Sequence, residues 1–192
     1  MSSPLVLYTL GHSNHSLERF LELVQSQEVE VVVDTRSQPY SRYVPHFNPR
    51  ELETALTAKG VAYRFLGQEL GGRPPETEFY DSEGHVRYDK VAESARFREG
   101  ISQLTALCAS QRVAILCSEE HPSHCHRRLL VGKVLDLEGW EIRHIRASGA
   151  VQTEQELSEA EARTRNPQGQ QSLFQQEEVQ AWRSTQSVLP KN

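Results

Sequence analysis

Val113-Ala-Ile-Leu-Cys-Ser-Glu-Glu-His-Pro-Ser-His-Cys-His-Arg-Arg-Leu-Leu-Val131 runs from an apolar stretch through a polar turn into a second apolar stretch. The first part, Val113–Cys117, has no alternation and reads as a strand buried on both faces. A helix is predicted from Pro122 or Ser123 to about 138. The turn between them carries two thiols, two carboxylates, three imidazoles and two guanidiniums. Open α/β sheets bind ligands outside the carboxyl ends of their strands, and helix N-termini attract anions. This turn is therefore the candidate site.

The flanking sequence repeats the strand–helix rhythm. Leu5–Leu10 reads as a first strand ending at Gly11-His-Ser13, with Ser16 capping a helix whose Leu17, Phe20, Leu21 and Val24 keep helical spacing. Val29–Val33 is a second buried strand ending at Asp34-Thr-Arg36. Asn48, Pro49 and Glu51 mark the start of the next helix, and Gly60 its end. Val61–Phe65 alternates like an edge strand. Residues 67–95 hold a Gly-, Pro- and charge-rich insertion, and a helix is predicted over about 96–110. Trp140–Ile145 is the last strand, expected at an edge. Alternating strands and helices imply an α/β fold: an open, mostly parallel five-stranded sheet with helices on both faces. Strands one, two and four are the most apolar, so the expected order is 3-2-1-4-5. Residues 1–147 form the expected domain, and the polar run 148–192 reads as a linker and mobile tail.

The 192 residues carry a formal net charge of −5 and 37% hydrophobic residues. That balance excludes a globally basic nucleic-acid coat while leaving room for a local basic cleft. Cys108, Cys117 and Cys125 make an odd number without disulfide-like spacing. No stretch approaches about 18 continuous apolar residues, and no signal peptide is evident, so a cytoplasmic protein without a membrane partner is expected.

Three strand ends share the carboxyl rim: His12 and Ser13, Asp34 and Arg36, and Cys117 with Glu119. Asp34, Glu119 and His12 are the candidate acid–base groups. Ser13, Arg36, Arg42, Tyr43, His126 and Arg127 are the candidate substrate-binding groups, Arg127 because a cation in the first helical turn needs an anionic partner. The bland alternative pairs Asp34 with Arg36 to pin loops. Cys125 and Cys117 are candidate reactive thiols, Cys125 through the helix N-terminus, although both also suit packing. Tyr40, Arg42 and Tyr43 interleave aromatic and cationic groups on one loop, which suits base stacking and phosphate pairing or, equally, a proline-stiffened loop packed by its tyrosines. No metal or cofactor is expected: there is no C-x-x-C, no H-E-x-x-H and no two-histidine i, i+4 pair. His124 and His126 would point about 200° apart on a helix.

Thr9-Leu-Gly-His-Ser13, Asp34-Thr-Arg36, Pro39–Phe47, Tyr63-Arg-Phe-Leu-Gly67, Leu70-Gly-Gly72 and Cys117-Ser-Glu119 with Pro122 and Cys125-His-Arg127 follow in a specific order. Together they resemble the family called domain of unknown function 488, over roughly residues 5–147. The resemblance implies no reaction. Three functions are expected to compete. The first is an enzyme acting on an anionic nucleotide or nucleic acid, in DNA maintenance. The second is sulfur transfer on a rhodanese-like sheet, and the third a non-catalytic binding module. Gln170-Gln-Ser-Leu-Phe174 resembles the pentapeptide that binds bacterial sliding clamps, with Leu173 and Phe174 as apolar anchors and Gln170 as the hydrogen-bonding group.

Overall fold

The computed structural model describes residues 5–165 and 181–188. A six-stranded sheet forms its centre. The strands are β1 (Val6–Gly11), β2 (Val31–Asp34), β3 (Ala62–Phe65), β4 (Val113–Cys117), β5 (Glu141–Ile145) and β6 (Val151–Thr153), in the order β3-β2-β4-β1-β5-β6. The first five are parallel and β6 is antiparallel to β5. Two features depart from the expected 3-2-1-4-5: β4 lies between β2 and β1, and a sixth strand covers β5. Strands one, two and four are indeed the central ones, buried almost throughout.

Helices α1 (Leu17–Ser26) and α2 (Pro49–Thr57) pack on one face. Phe20, Leu23, Val24, Leu52 and Leu56 meet Leu10, Val32 and Leu116 there. The other face holds α3 (Tyr88–Glu93), α4 (Ala95–Cys108) and α5 (Lys133–Leu137), with Phe97, Leu104, Leu130 and Leu135 against Leu7, Val33 and Ile115. The Ser16 and Ser94 hydroxyls cap α1 and α4 by accepting from the third residue on. No described helix is long and apolar enough to cross a membrane.

The connections after β1 and β2 leave toward the first face, and the one after β4 leaves toward the second. A crevice therefore opens at the carboxyl end of β4, where ligands bind in such sheets. Gly11 and Cys117 are register partners at that point. A Cβ on Gly11 would stand 1.7 Å from the Glu119 carbonyl oxygen, so only glycine lets the β1 end approach the turn this closely.

The expected helix 123–138 is interrupted. A short 3-10 turn covers Pro122–His124, Cys125 is extended at φ −112° and ψ 138°, and a wide π-type turn over Arg127–Gly132 leads into α5. Residues 148–165, expected as linker, instead supply β6 and α6 (Glu154–Arg165). Residues 181–188 also return to the domain: the Trp182 indole donates to the Leu129 carbonyl, and Ser184 N–H donates to the Val86 carbonyl. Gln170, Leu173 and Phe174 lie outside the described residues.

Helix α6 is held by charge more than by apolar contact. Arg128 reaches Glu154 through Nε and Nη2 and Glu161 through Nη1, while His144 Nε2 lies 3.0 Å from Glu154 and its Nδ1 2.8 Å from the Thr9 hydroxyl. Burial alone would raise the Glu154 carboxyl, but hydrogen bonds from His144 and Arg128 outweigh it and hold it at about 2, against an ordinary 4.5. A depressed carboxyl stabilises the fold above its ordinary value and loses that contribution as pH falls toward the folded one. The stability lost between pH 4.5 and 2 is expected to be about 3 kcal/mol at most. Glu154→Gln should flatten the acid limb of the urea midpoint plotted against pH. An acid limb identical to wild type would mean that this carboxylate is not part of the anchor.

Candidate functional site

The carboxyl rim is built from two buried polar clusters that meet at β4. The first belongs to β2. Asp34 is fully buried, and its Oδ1 accepts from Arg36 Nε at 2.9 Å and from the Arg36 backbone N–H at 3.0 Å. Its Oδ2 accepts from Arg36 Nη2 at 2.6 Å and from the Tyr63 hydroxyl at 2.8 Å. Arg36 also donates to the Phe47 carbonyl and meets His12 Nε2 at 3.2 Å. His12 Nδ1 lies 2.8 Å from the Ser13 carbonyl, an acceptor only, so Nδ1 carries the proton and Nε2 accepts from Arg36. The His12 ring stacks on Phe47 at 4.5 Å. Burial, then the Arg36 charge, hold His12 down at about 4, so it is neutral at physiological pH. The sequence grouped Asp34, Arg36 and His12 correctly. However, Asp34 and His12 have their polar atoms engaged inside this cluster and do not line the cleft, as acid–base work on a ligand would require.

The second cluster belongs to the turn after β4. Cys117 Sγ–H donates to Glu119 Oε2 at 2.8 Å, and Cys125 Sγ–H donates to the same oxygen at 3.2 Å. His126 Nε2 lies 3.0 Å from the Thr35 carbonyl, so Nε2 carries the proton. Its Nδ1 then faces Cys117 Sγ at 3.4 Å and Cys125 Sγ at 4.0 Å. Cys117, Cys125 and His126 offer three metal-ligand atoms within 4.8 Å of one another. No ligand-spacing rule singles out this trio in the sequence, because the three residues meet only through the break in the helix at Cys125. That break also corrects the reactive-thiol argument: Cys125 is extended, outside any helical first turn. Burial and the neighbouring Cys117 push its thiol well above the ordinary value. All three cysteines are free.

Arg127 is corrected as well. It is fully buried and is the bulkiest of the most deeply buried side chains. Its Nη1 and Nη2 donate to the Glu119 and Glu120 carbonyls, and its Nε approaches the Thr9 hydroxyl at 3.4 Å. It shapes the turn from behind rather than meeting an anion. Glu120 turns away to a two-point pair with Arg146.

The space in front of the two clusters is a cavity of about 280 Å³, lined by Arg36, Gln38, Arg73, Cys117, Glu119 and His126 among others. Across Ser37, Gln38 and Arg73 it adjoins a wider groove of about 840 Å³ that runs past Gly71, Pro74 and Arg96. Residues 184–188 form a further wall. Gly72 packs under His126, where a Cβ would lie 2.7 Å from the ring. Of the expected groups, Glu119, His126, Cys117 and Arg36 reach this cavity, whereas Ser13 bonds to Asn14 outside it. Arg42 is exposed on the loop leading from Gln38, over the Tyr43 ring at 5.0 Å. Tyr40 and Tyr43 on that loop are 75% and 80% exposed. The sequence did not mark Arg73, Tyr63 or Tyr88 as site residues. Arg73 had a signal, since it ends the glycine-rich stretch that packs against the rim.

No curated protein and no solved structure matches this chain. The family model described as domain of unknown function DUF488 matches residues 16–134, which include Asp34, Arg36 and the whole turn after β4 but not His12 or β1. The ordered motifs and this match agree, and the chain belongs to the DUF488 family.

Proposed function

We propose that this protein is an enzyme acting on an anionic nucleotide or nucleic-acid substrate, with the cavity at the carboxyl end of β4 as its reaction site. The observation that carries this reading is the continuity of three features. A polar cavity walled by Glu119, Cys117 and His126 adjoins a groove edged by Arg73; Ser37 and Gln38 line both, and the chain runs on from them into a loop that exposes Tyr40, Arg42 and Tyr43. Exposed tyrosines on a loop leave apolar faces without a partner, and a base can stack on them while arginine pairs with phosphate. Arg73 and Arg42 take the anion-binding role, because Arg36 and Arg127 are committed within the fold. Glu119 is the acid–base group of this reading. The Arg36–Asp34 cluster acts as a positioning element beneath it.

A labelled single-stranded oligonucleotide is expected to bind at low salt and to be released as salt rises. Tyr40→Ala with Tyr43→Ala should weaken binding by about tenfold or more, since each stacked base contributes about 1–3 kcal/mol. Arg73→Ala and Arg42→Ala should reduce the salt slope. If neither oligonucleotides nor nucleotides bind the wild-type chain at low salt, the reading is wrong.

Sulfur transfer has one observation in its favour, the contact of Cys117 with His126. Against it, Cys117 is 3% exposed and its thiol hydrogen is engaged by the Glu119 carboxylate. The DNA-maintenance form of the proposal adds a sliding clamp as partner, through Gln170, Leu173 and Phe174. A peptide of residues 166–178 should compete with the full chain for a clamp. A peptide with Leu173→Ala and Phe174→Ala should not, because such anchors carry most of a short peptide's affinity. Equal competition by the two peptides would remove the clamp from the proposal.

A further inference from the structure

We propose that Cys117, Cys125 and His126 form a binding site for one thiophilic divalent cation of the zinc class, set in the wall of the β4 cavity.

The donor spacing is the first ground. Zinc–sulfur and zinc–nitrogen bonds of about 2.3 and 2.0 Å in a tetrahedron put neighbouring ligand atoms about 3.5–3.8 Å apart. Here Cys117, Cys125 and His126 each offer one donor atom, all within 4.8 Å of one another, and His126 Nδ1 lies 3.4 and 4.0 Å from the two sulfurs. Three donors are thus already spaced for one ion, and the fourth position is left to a ligand from the cavity.

The second ground is the orientation of His126. Its Nε2–H is held by the Thr35 carbonyl, which leaves Nδ1, turned toward the two sulfurs, as the ring's ligand atom. A histidine ligand ordinarily has its remote N–H anchored in this way. The ring is also hemmed in by Gly72, which packs against it with no room for a Cβ.

The third ground is access and donor softness. Cys117, Glu119 and His126 line the cavity, so an ion would have an entry path and one side toward bound ligands. Two sulfurs and an imidazole select zinc-like ions over magnesium or calcium. On binding, each thiol releases its proton to solvent, and the two sulfur lone pairs that result are donated to the ion; no redox change is involved. A cation at this wall would act as a Lewis acid toward an oxygen of a ligand in the cavity.

This inference stands apart from the nucleic-acid reading, and its test uses no substrate. The full chain, reduced and freed of metal with a chelator, is titrated with cobalt(II) and with zinc(II). The expected result is about one equivalent bound, with the intense visible absorption of tetrahedral cobalt and a near-ultraviolet thiolate-to-cobalt band. Zinc should abolish both signals. Cys117→Ser and Cys125→Ser should each remove roughly half of the charge-transfer band, and Cys108→Ser should leave it unchanged. Should either serine variant fail to fold, alkylation of the wild type decides: zinc is expected to protect Cys117 and Cys125, mapped by mass spectrometry, and not Cys108. The proposal is overturned if the reduced wild type takes up no cobalt at micromolar concentrations. It is equally overturned if cobalt binds without a thiolate band, or if zinc leaves the alkylation of Cys117 and Cys125 unchanged.

Discussion

Asp34→Asn is expected to lower the stability of the folded chain by about 3–5 kcal/mol in urea denaturation, the loss typical of a buried ion pair deprived of one partner. The substitution nearly keeps the shape of the side chain, removes its charge and turns one acceptor oxygen into a donor. Arg36 is 4% exposed and its guanidinium meets a single carboxylate, so the cation would be left buried and uncompensated. Whichever way the new amide turns, its NH2 also faces donors of Arg36 or Tyr63 that have an acceptor in the wild type, which adds to the loss of charge. Arg36→Met should cost a similar amount for the converse reason. The double variant should cost less than the sum of the two, because neither charge then remains alone. His12 provides a second readout. Burial and then Arg36 hold it at about 4, so Arg36→Met should raise its titration, followed by NMR of the ring protons. A loss under about 1 kcal/mol in both single variants would mean that water reaches the pair and that the β2 end is open, contrary to the geometry.

What the sequence disclosed about this rim, and what it hid, follows from the kind of force involved. Burial is written in composition: Val31–Val33 and Val113–Cys117 lack polar alternation, and both are central strands. Strand order is not written there, because apolarity reports how deeply a strand is buried and not which neighbour it has. The 47 residues from Leu66 to Arg112 are long enough to return β4 beside either β1 or β2. The tail was misread for a related reason. Among the residues of α6, Leu157 alone belongs to the buried apolar set, and Arg128, His144 and Glu154 hold the helix instead. A polar composition therefore concealed an ordered element. At the site, convergence of the three strand ends was legible, since parallel strands put their carboxyl ends on one rim. The union of Cys117 with Cys125 and His126 was not. Local spacing rules seek ligands on one helix or one tight turn, whereas these meet only because the chain breaks at Cys125 and brings a strand end against the start of the next turn.

Arg127 carries the other large effect, and its direction separates the structure from the sequence expectation. An anion-binding Arg127 would give a variant that folds normally and loses only ligand affinity. The buried Arg127 gives the opposite forecast. Arg127→Ala removes a side chain with no exposed surface and deprives the Glu119 and Glu120 carbonyls of their charged donors. Cavity formation and two lost charge-assisted hydrogen bonds together are expected to cost about 3–5 kcal/mol, seen as a lower urea midpoint at unchanged slope. Arg127→Lys should recover less than half of that, because one ammonium cannot replace a planar fork across two successive carbonyls. The damage should also reach the cavity. The Glu119 carbonyl is the atom that Gly11 must approach closely, and the Glu119 side chain accepts from both Cys117 and Cys125. Once this turn loosens, both thiols should alkylate faster in the variant than in wild type under native conditions, with Cys108 little changed. If Arg127→Ala instead melts within about 1 kcal/mol of wild type with its thiols no more reactive, the turn is held by β1 and β4 alone. The guanidinium would then be free to face the cavity, as a helix-terminal cation read from the sequence would.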